Sequence, residues 1–97
     1  MTRVECDQPD IEHTVYVVST PDGSEVLYVG MSNQVENRLY LHWVSYRSRW
    51  AHEPHIVDLW PAPNRAAARA LERELIQTLR PRDNKNLNPA YRRPRAA

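Results

Sequence analysis

The sequence predicts an α+β fold: a small β-β-α-β-α domain with a three-stranded, mostly antiparallel sheet flanked by helices. Three observations predict it. Two β-branched, apolar runs flank the turn residues "PDGS", which indicates an antiparallel hairpin. Two later stretches carry apolar residues at helical spacing. A further apolar run between those two stretches supplies the third strand.

The hairpin strands are expected at about 13–20 and 25–29, with Gly30 closing the second strand. A helix is expected next, at about 34–48, with Ser32 or Asn33 as its N-cap. Its apolar positions recur at helical spacing: Val35, Leu39, Trp43, Tyr46 and Trp50.

The third strand corresponds to "IVDLWPAP" and is expected to stop at Pro61 and Pro63. The second helix corresponds to "RAAARALERELIQTL", which consists of strong helix formers. Asn64 is the expected N-cap of this helix, and Arg80-Pro81 is expected to end it.

The length of 97 residues indicates one domain. We expect a flexible acidic arm at 1–12, the folded domain at 13–89 and a basic tail at 90–97. The sequence contains no run of about 18 apolar residues, so it predicts no transmembrane helix. Cys6 is the single cysteine, which excludes an internal disulfide and a cysteine-based zinc site and favours a reducing, cytoplasmic setting.

Charge is distributed unevenly along the chain. Residues 1–37 hold one arginine and seven acids, whereas residues 38–97 hold five acids and twelve basic residues, eleven of them arginines. Arginine suits bidentate contact with phosphate. The pattern fits a nucleic-acid partner, and it fits a solvated helix face with a basic tail equally well.

Glu72 is placed unusually within the second helix. Ala68, Ile76 and Leu79 project within about 40° of it at 100° per residue, whereas Glu74 lies on the opposite face. A carboxylate among core positions is costly unless it is paired, hydrogen-bonded or bound to a metal. A buried ion pair, for example with Arg38, is the more common explanation, and a Mg²⁺ site is the alternative.

Arg38 and His42 share one face of the first helix because they are four residues apart. A solvated arginine beside a partly buried histidine is the ordinary interpretation. The pair also suits phosphodiester chemistry, in which the arginine stabilises developing charge and the histidine donates a hydrogen bond or moves a proton.

Tyr16 and Tyr28 lie on adjacent strands of the predicted hairpin. Cross-strand aromatic packing is the usual role of such a pair. Since phenol has an unperturbed pKa of about 10, a tyrosine acts as a base only if a neighbouring positive charge lowers that pKa.

Together, these motifs resemble the GIY-YIG nuclease domain. The relevant stretches are "VY" at 15–16, "YVG" at 28–30, "ENRLYLH" at 36–42 and "ERELIQTLRPRDN" at 72–84. The resemblance covers about residues 13–89 and agrees with the β-β-α-β-α order.

The resemblance implies a role for each matching residue. Glu72 would be the sole protein ligand of Mg²⁺ or Mn²⁺, and Tyr28, or Tyr16, would serve as or orient the general base for the attacking water. Arg38 would contact the scissile phosphate, beside His42. The implied catalytic set is Tyr16, Tyr28, Arg38, His42, Glu72 and Asn84.

The resemblance further implies single-metal hydrolysis of DNA. Asn84 would hold the site together by hydrogen bonds, and Gly30 would allow a tight backbone approach. Binding is expected from arginines that meet phosphates, with little sequence preference. The expected DNA-binding residues are Arg47, Arg49, Arg80, Arg82, Arg92, Arg93 and Arg95.

Two positions depart from the family pattern. Thr14 occupies the position of the first glycine of "GIY", and Met31 stands where relatives often have lysine. Loss of that lysine removes an electrostatic aid to lowering the tyrosine pKa. A non-catalytic nucleic-acid-binding or adaptor module on the same fold is therefore one alternative, and a purely structural protein with a Glu72–Arg38 pair is another. A homodimer or a partner protein is the expected source of target recognition.

Overall fold

The computed structural model describes residues 11–45 and 47–84. The predicted α+β fold is confirmed: a three-stranded antiparallel sheet is flanked by two α-helices. The elements in chain order are β1 His13–Ser19, β2 Val26–Ser32, α1 Val35–Val44, a 3₁₀ turn Arg49–His52, β3 Ile56–Ala62 and α2 Arg65–Leu79. None of the helices in the described ranges is long and apolar enough to cross a membrane.

The turn of the hairpin is built from short polar side chains. The carboxylate of Asp22 accepts hydrogen bonds from the hydroxyls of Thr20 (2.8 Å) and Ser24 (2.9 Å) and from the Ser24 amide (3.1 Å). Gly23 has a φ of 76°, in the left-handed region that favours glycine. The turn chemistry therefore fixes the pairing of β1 with β2.

β1 is the central strand, in the order β2-β1-β3, and it is buried on both faces. Val15 and Val17 pack with Val29 and with Ala68 and Ile76 of α2. A second cluster lies on the opposite face. It combines strand residues with two residues of the 3₁₀ turn: Tyr16, Val18 and Leu27 from the strands, and Trp50 and Ala51 from the turn. Alternation along one strand thus gives the domain two small cores, with α2 on one side and α1 and the 3₁₀ turn on the other.

Two expectations about the strands are wrong. Gly30 does not close β2, which continues to Ser32 with Gly30 paired opposite Tyr16. Pro61 does not stop β3, because it pairs with Thr14 within the strand. β3 is an edge strand, and an edge strand tolerates proline because one of its sides makes no ladder hydrogen bonds.

The first helix is shorter than the expected 34–48. It ends at Val44, and Trp50 reaches the core from the 3₁₀ turn instead. The side chain of Ser45 accepts a hydrogen bond from the Arg47 amide (3.1 Å), a local bond that competes with helix continuation. The helix has no side-chain cap at Gln34, although the Ser32 hydroxyl accepts from the Gln34 amide (2.9 Å).

The second helix forms as predicted. The side chain of Asn64 accepts a hydrogen bond from the Ala67 amide (2.8 Å), and the helix ends at Leu79. Arg80 adopts the left-handed conformation, with φ 51°. The chain then turns back toward β2.

Residues 82–84, expected to form part of a polar loop, are bound along the outer edge of β2. The amides of Arg82 and Asp83 donate to the carbonyls of Val26 (3.0 Å) and Leu27 (2.8 Å). Sequence reasoning missed this attachment. The predicted arm at 1–12 lies mostly outside the described residues, as do the predicted tail at 90–97 and Tyr46.

Candidate functional site

An open pocket of about 500 Å³ lies where β2, α2, the 3₁₀ turn and the 82–84 segment meet. Four of the six predicted catalytic residues line it: Tyr28, His42, Glu72 and Asn84. β2, α1, α2 and the 82–84 segment contribute one residue each. The fold therefore gathers residues from 28 to 84 at one surface.

Tyr28 forms the aromatic wall of this pocket. Its ring stacks on Trp50, with centroids 5.5 Å apart, and meets the edge of His42 at 5.1 Å. Burial raises the pKa of Tyr28; the Arg38 guanidinium opposes that shift without cancelling it, and the Glu72 carboxylate adds to it. Tyr28 is therefore a neutral phenol at pH 7.

Tyr16 lies behind this wall and is only 1% exposed. Its hydroxyl oxygen lies 3.0 Å from Nε2 of His42. Burial, followed by the neighbouring Tyr28, raises the pKa of Tyr16 strongly, whereas Arg38 opposes the shift. Of the two tyrosines, Tyr28 faces the pocket and Tyr16 supports the histidine.

The imidazole of His42 is held at both nitrogens. Besides the Tyr16 contact, Nδ1 lies 2.6 Å from the hydroxyl oxygen of Ser48. Burial lowers the pKa of His42 to about 4, and the charge of Arg38 acts in the same direction. The ring is thus neutral at pH 7, so it donates one of these hydrogen bonds and accepts the other.

Gly30 provides the space that the Tyr16 phenol occupies. A Cβ at position 30 would overlap the phenol oxygen and lie 2.5 Å from Cζ of the ring. The glycine is needed here for close approach, since its φ is not in the left-handed region. The resemblance implies a tight backbone approach at Gly30; in the structure the absence of a Cβ there leaves room for the Tyr16 phenol.

Glu72 is half-buried at the wall formed by α2. Burial raises the pKa of its carboxyl, and Arg69, one helical turn away, offsets this only partly. Among the described residues, no ion pair involves Glu72. The ion pair between Glu72 and Arg38, one of the two interpretations of Glu72 from the sequence, is therefore not formed. The carboxylate is left available to a cation.

Asp83 is the second carboxylate of the pocket, and it is already occupied. Its Oδ1 accepts from Arg49 (Nη2, 2.6 Å) and Arg82 (Nε, 2.8 Å), and its Oδ2 accepts from Arg82 (Nη2, 2.9 Å). Burial acts to raise the pKa of Asp83, but hydrogen bonds from the two arginines outweigh it, and the pKa is lowered. Arg82 also contacts Glu53 (3.0 Å).

Asn84 joins the last described segment to β2. Its side-chain oxygen accepts from the Val29 amide (2.8 Å), and its side-chain nitrogen donates to the Val29 carbonyl (2.9 Å). A single amide side chain thereby satisfies both backbone groups of one residue at the sheet edge. Two hydrogen bonds thus tie Asn84 to Val29 of β2.

Arg38 is exposed and lies beside the pocket rather than in its lining. It borders a smaller cavity of about 160 Å³ together with His42 and Ser48. Its positive charge acts to lower the pKa values of Tyr16, Tyr28 and His42.

The arginines expected to bind DNA occupy different environments. Arg47 is exposed and lines the pocket, and Arg80 is exposed at the end of α2. Arg49 and Arg82 form ion pairs with Asp83, so the Asp83 carboxylate neutralises part of their positive charge. Arg92, Arg93 and Arg95 lie outside the described residues.

Ser48, Trp50 and Asp83 are the site residues that sequence reasoning missed. Ser48 and Trp50 reach the site because the first helix stops early and the chain turns back. Asp83 lies within the quoted "PRDN", directly after Arg82, and the sequence gives no signal for its second partner, Arg49. The Trp50 indole N–H is buried at the pocket wall and has no hydrogen-bond partner among the described residues.

The donor set of the pocket fits one hard cation. The described ranges contain no group of three or more histidine, cysteine, aspartate or glutamate side chains able to hold a metal. One unpaired carboxylate, Glu72, is nevertheless enough for Mg²⁺, which usually keeps several waters and takes further oxygen ligands from substrate phosphates.

Similarity to known proteins identifies the family. No curated protein and no solved structure is significantly similar to the chain. The family model of the GIY-YIG catalytic domain matches residues 12–88, which is most of the chain and includes every element described above. The chain therefore belongs to the GIY-YIG catalytic domain family, a family of nucleases.

Proposed function

We propose that this chain is a divalent-metal-dependent endonuclease that hydrolyses DNA phosphodiester bonds. The observation that carries the proposal is the convergence of an unpaired carboxylate, Glu72, with Tyr28 and His42 in one open pocket bordered by Arg38. A structural protein gains nothing from leaving a half-buried carboxylate without an ion-pair partner.

Glu72 is the proposed protein ligand for Mg²⁺ or Mn²⁺. The second carboxylate of the pocket is engaged by Arg49 and Arg82, so Glu72 is the one available to a cation. When bound, such an ion supplies positive charge to the phosphate and leaving-group oxygens. Burial raises the pKa of the Glu72 carboxyl, so protonation of this carboxyl would compete with metal binding.

Tyr28 is the proposed orienting residue for the attacking water. As a neutral phenol in the pocket wall it can accept a hydrogen bond from water or donate one to it. The water oxygen would form the new bond to phosphorus as the bond to the 3′ oxygen breaks. The attacking water would release its proton to solvent, and the 3′ oxygen would leave as an alkoxide and take up a proton from solvent. Only the phenolate of Tyr28 could take a proton from water, and burial disfavours the phenolate because it raises the pKa of Tyr28. General-base action would therefore require a further positive charge nearby.

His42 and Tyr16 are proposed as positioning residues. Their mutual hydrogen bond, and the bond of His42 to Ser48, fix the imidazole edge against Tyr28. Arg38 and Arg47 are the proposed phosphate contacts, since both are exposed beside the pocket and neither is in an ion pair with a described residue.

The test is nicking of a supercoiled plasmid with Mg²⁺ or Mn²⁺ and with a chelator. Wild type should nick only with metal, and Glu72→Ala and Arg38→Ala should each lose most of the activity. Glu74→Ala is the matched control, because Glu74 is an exposed carboxylate on the same helix, and it should retain full activity. Metal-independent nicking, or nicking that survives Glu72→Ala, contradicts the proposal.

A non-catalytic DNA-binding module is the second candidate. It is favoured by Met31, which lines the pocket where a lysine would lower the tyrosine pKa, and by the burial that raises the pKa of Tyr28. This function predicts salt-sensitive DNA binding without turnover and without metal dependence. The plasmid experiment separates the two functions directly.

Assembly and location are also part of the proposal. A single site cuts one strand at a time, so cleavage of both strands needs two successive nicks, a homodimer or a partner protein that supplies target recognition. We place the protein in the cytoplasm, where its DNA substrate and Mg²⁺ would be available.

A further inference from the structure

The outward side of α1 is unusually apolar for a surface helix. Trp43 is 58% exposed and Tyr40 60% exposed, and Leu41 and Val44 are exposed beside them. A cluster of exposed aromatic and apolar side chains usually marks a binding surface. The nuclease site does not use them, because the residues of α1 that turn toward the site are Arg38 and His42.

Trp43 has an aromatic neighbour that is held in place. The ring centroids of His52 and Trp43 are 5.3 Å apart, and the two ring planes are tilted by 33° relative to each other. Nε2 of His52 donates to the Ser45 carbonyl (3.2 Å), which fixes the imidazole over the gap between α1 and the 3₁₀ turn. Trp43 and His52, here termed the aromatic ledge, form an exposed pair.

Charge around the ledge favours a polyanion as its occupant. Residues 37–52 contain three arginines and no acidic residue, and of these arginines Arg49 is paired with Asp83, which leaves Arg38 and Arg47. Arg47 lies in the loop that the ledge spans, and it also lines the pocket. Arg47 therefore offers a phosphate contact at the pocket, in the same short segment that separates the two residues of the ledge.

A second apolar surface on the domain differs in charge. β3 exposes Trp60 (48%), Leu59 and Ile56, but its sequence "IVDLWPA" contains no arginine or lysine and one aspartate. Base stacking on aromatic rings combined with cationic contacts to the backbone is the usual mode of single-strand recognition. Of these two surfaces, only the ledge combines both features.

We infer that the aromatic ledge, Trp43 and His52, binds an unpaired nucleobase of a DNA strand that enters the pocket. The inference deepens the proposed function, because it names substrates with a single-stranded segment next to the cleavage point. A fully paired duplex cannot present a base face to the ledge without opening.

The test measures binding rather than cleavage. The affinity of wild type and Glu72→Gln is measured by fluorescence anisotropy for a labelled duplex and for the same duplex with a single-stranded extension. Trp43→Ala should weaken binding of the extended DNA by roughly 5- to 150-fold, the loss expected for one base stack, and leave duplex binding unchanged. Trp43→Phe should restore most of the affinity.

Trp60→Ala is the matched control, an exposed tryptophan outside the ledge, and should leave both affinities unchanged. Unaltered thermal unfolding of Trp43→Ala shows that the loss is local. Equal losses on both DNAs, no loss at all, or the same loss for Trp60→Ala would each overturn the inference. The inference would also be overturned if Trp43→Ala dissociated a dimer and did not weaken binding of the extended DNA. Because no step requires turnover, a chain that failed the plasmid experiment could still pass this one.

Discussion

The phenol oxygen of Tyr16 lies 3.0 Å from Nε2 of His42, and both side chains are buried. This contact joins the central strand of the sheet to α1. The imidazole is neutral, because burial and then the positive charge of Arg38 lower its pKa to about 4. The pair couples the stability of the domain to pH.

The first prediction concerns that coupling. The folded pKa of His42, about 4, lies below its ordinary value of 6.5, so the unfolded chain binds more protons between these pH values. Stability is therefore expected to fall as the pH drops from about 6.5 to about 4 and to be fully present above that window. Each pKa unit corresponds to about 1.4 kcal/mol, so the difference of 2.5 units sets an upper limit of about 3.5 kcal/mol for the loss in free energy of unfolding.

Urea unfolding across this pH window measures the effect. His42→Gln is the control, because it keeps a polar side chain but does not titrate, and its unfolding free energy should vary less steeply with pH than that of wild type. An identical slope for the two proteins would show that His42 is not responsible.

The second prediction concerns Gly30. A methyl group there would overlap the Tyr16 ring, so Gly30→Ala should lower the free energy of unfolding by about 1–3 kcal/mol, the usual cost of overpacking. The cost should shrink when Tyr16 is also replaced by valine, which removes the ring. A double-mutant cycle measures this coupling by chemical denaturation, and strictly additive costs would contradict the proposed overlap.

The third prediction concerns Asp83. Asp83→Asn removes the charge that holds Arg49 and Arg82, and it should destabilise the domain by about 1–3 kcal/mol and loosen the 82–84 segment. Hydrogen exchange at the Asp83 and Val29 amides reports on that segment directly, since both amides are bonded across the β2 edge.

Glu53→Gln is the matched control for Asp83→Asn. Glu53 contacts the same Arg82, but its side chain is 39% exposed, so its loss should cost little. If the two substitutions were equally mild and exchange at both amides stayed slow, Asp83 would not be the residue that secures the segment.

Local chemistry explains which parts of the fold were predictable from sequence. The hairpin and α2 were predictable because the "PDGS" turn and the Asn64 cap act within a few residues. Glu72 was identified by its position among apolar residues, and the structure places it half-buried in the pocket wall.

Tertiary contacts explain what was not predictable. The early end of α1 depends on Ser48 reaching back to His42 and on Trp50 packing against Tyr28 from the 3₁₀ turn. The attachment of residues 82–84 depends on Val29 and Leu27, which lie more than 50 residues earlier in the chain. No periodicity in the sequence encodes either contact.

The attachment of residues 82–84 along β2 also bears on how copies of this domain can meet. Open sheet edges invite a strand from another molecule, and proteins blunt them with covering segments, prolines or charges. Here one edge is covered by 82–84, and the other, β3, carries Pro61 and the exposed Asp58. Sheet extension between copies is disfavoured at both edges, which protects the domain from edge-to-edge aggregation and leaves side-chain surfaces as the route to self-association.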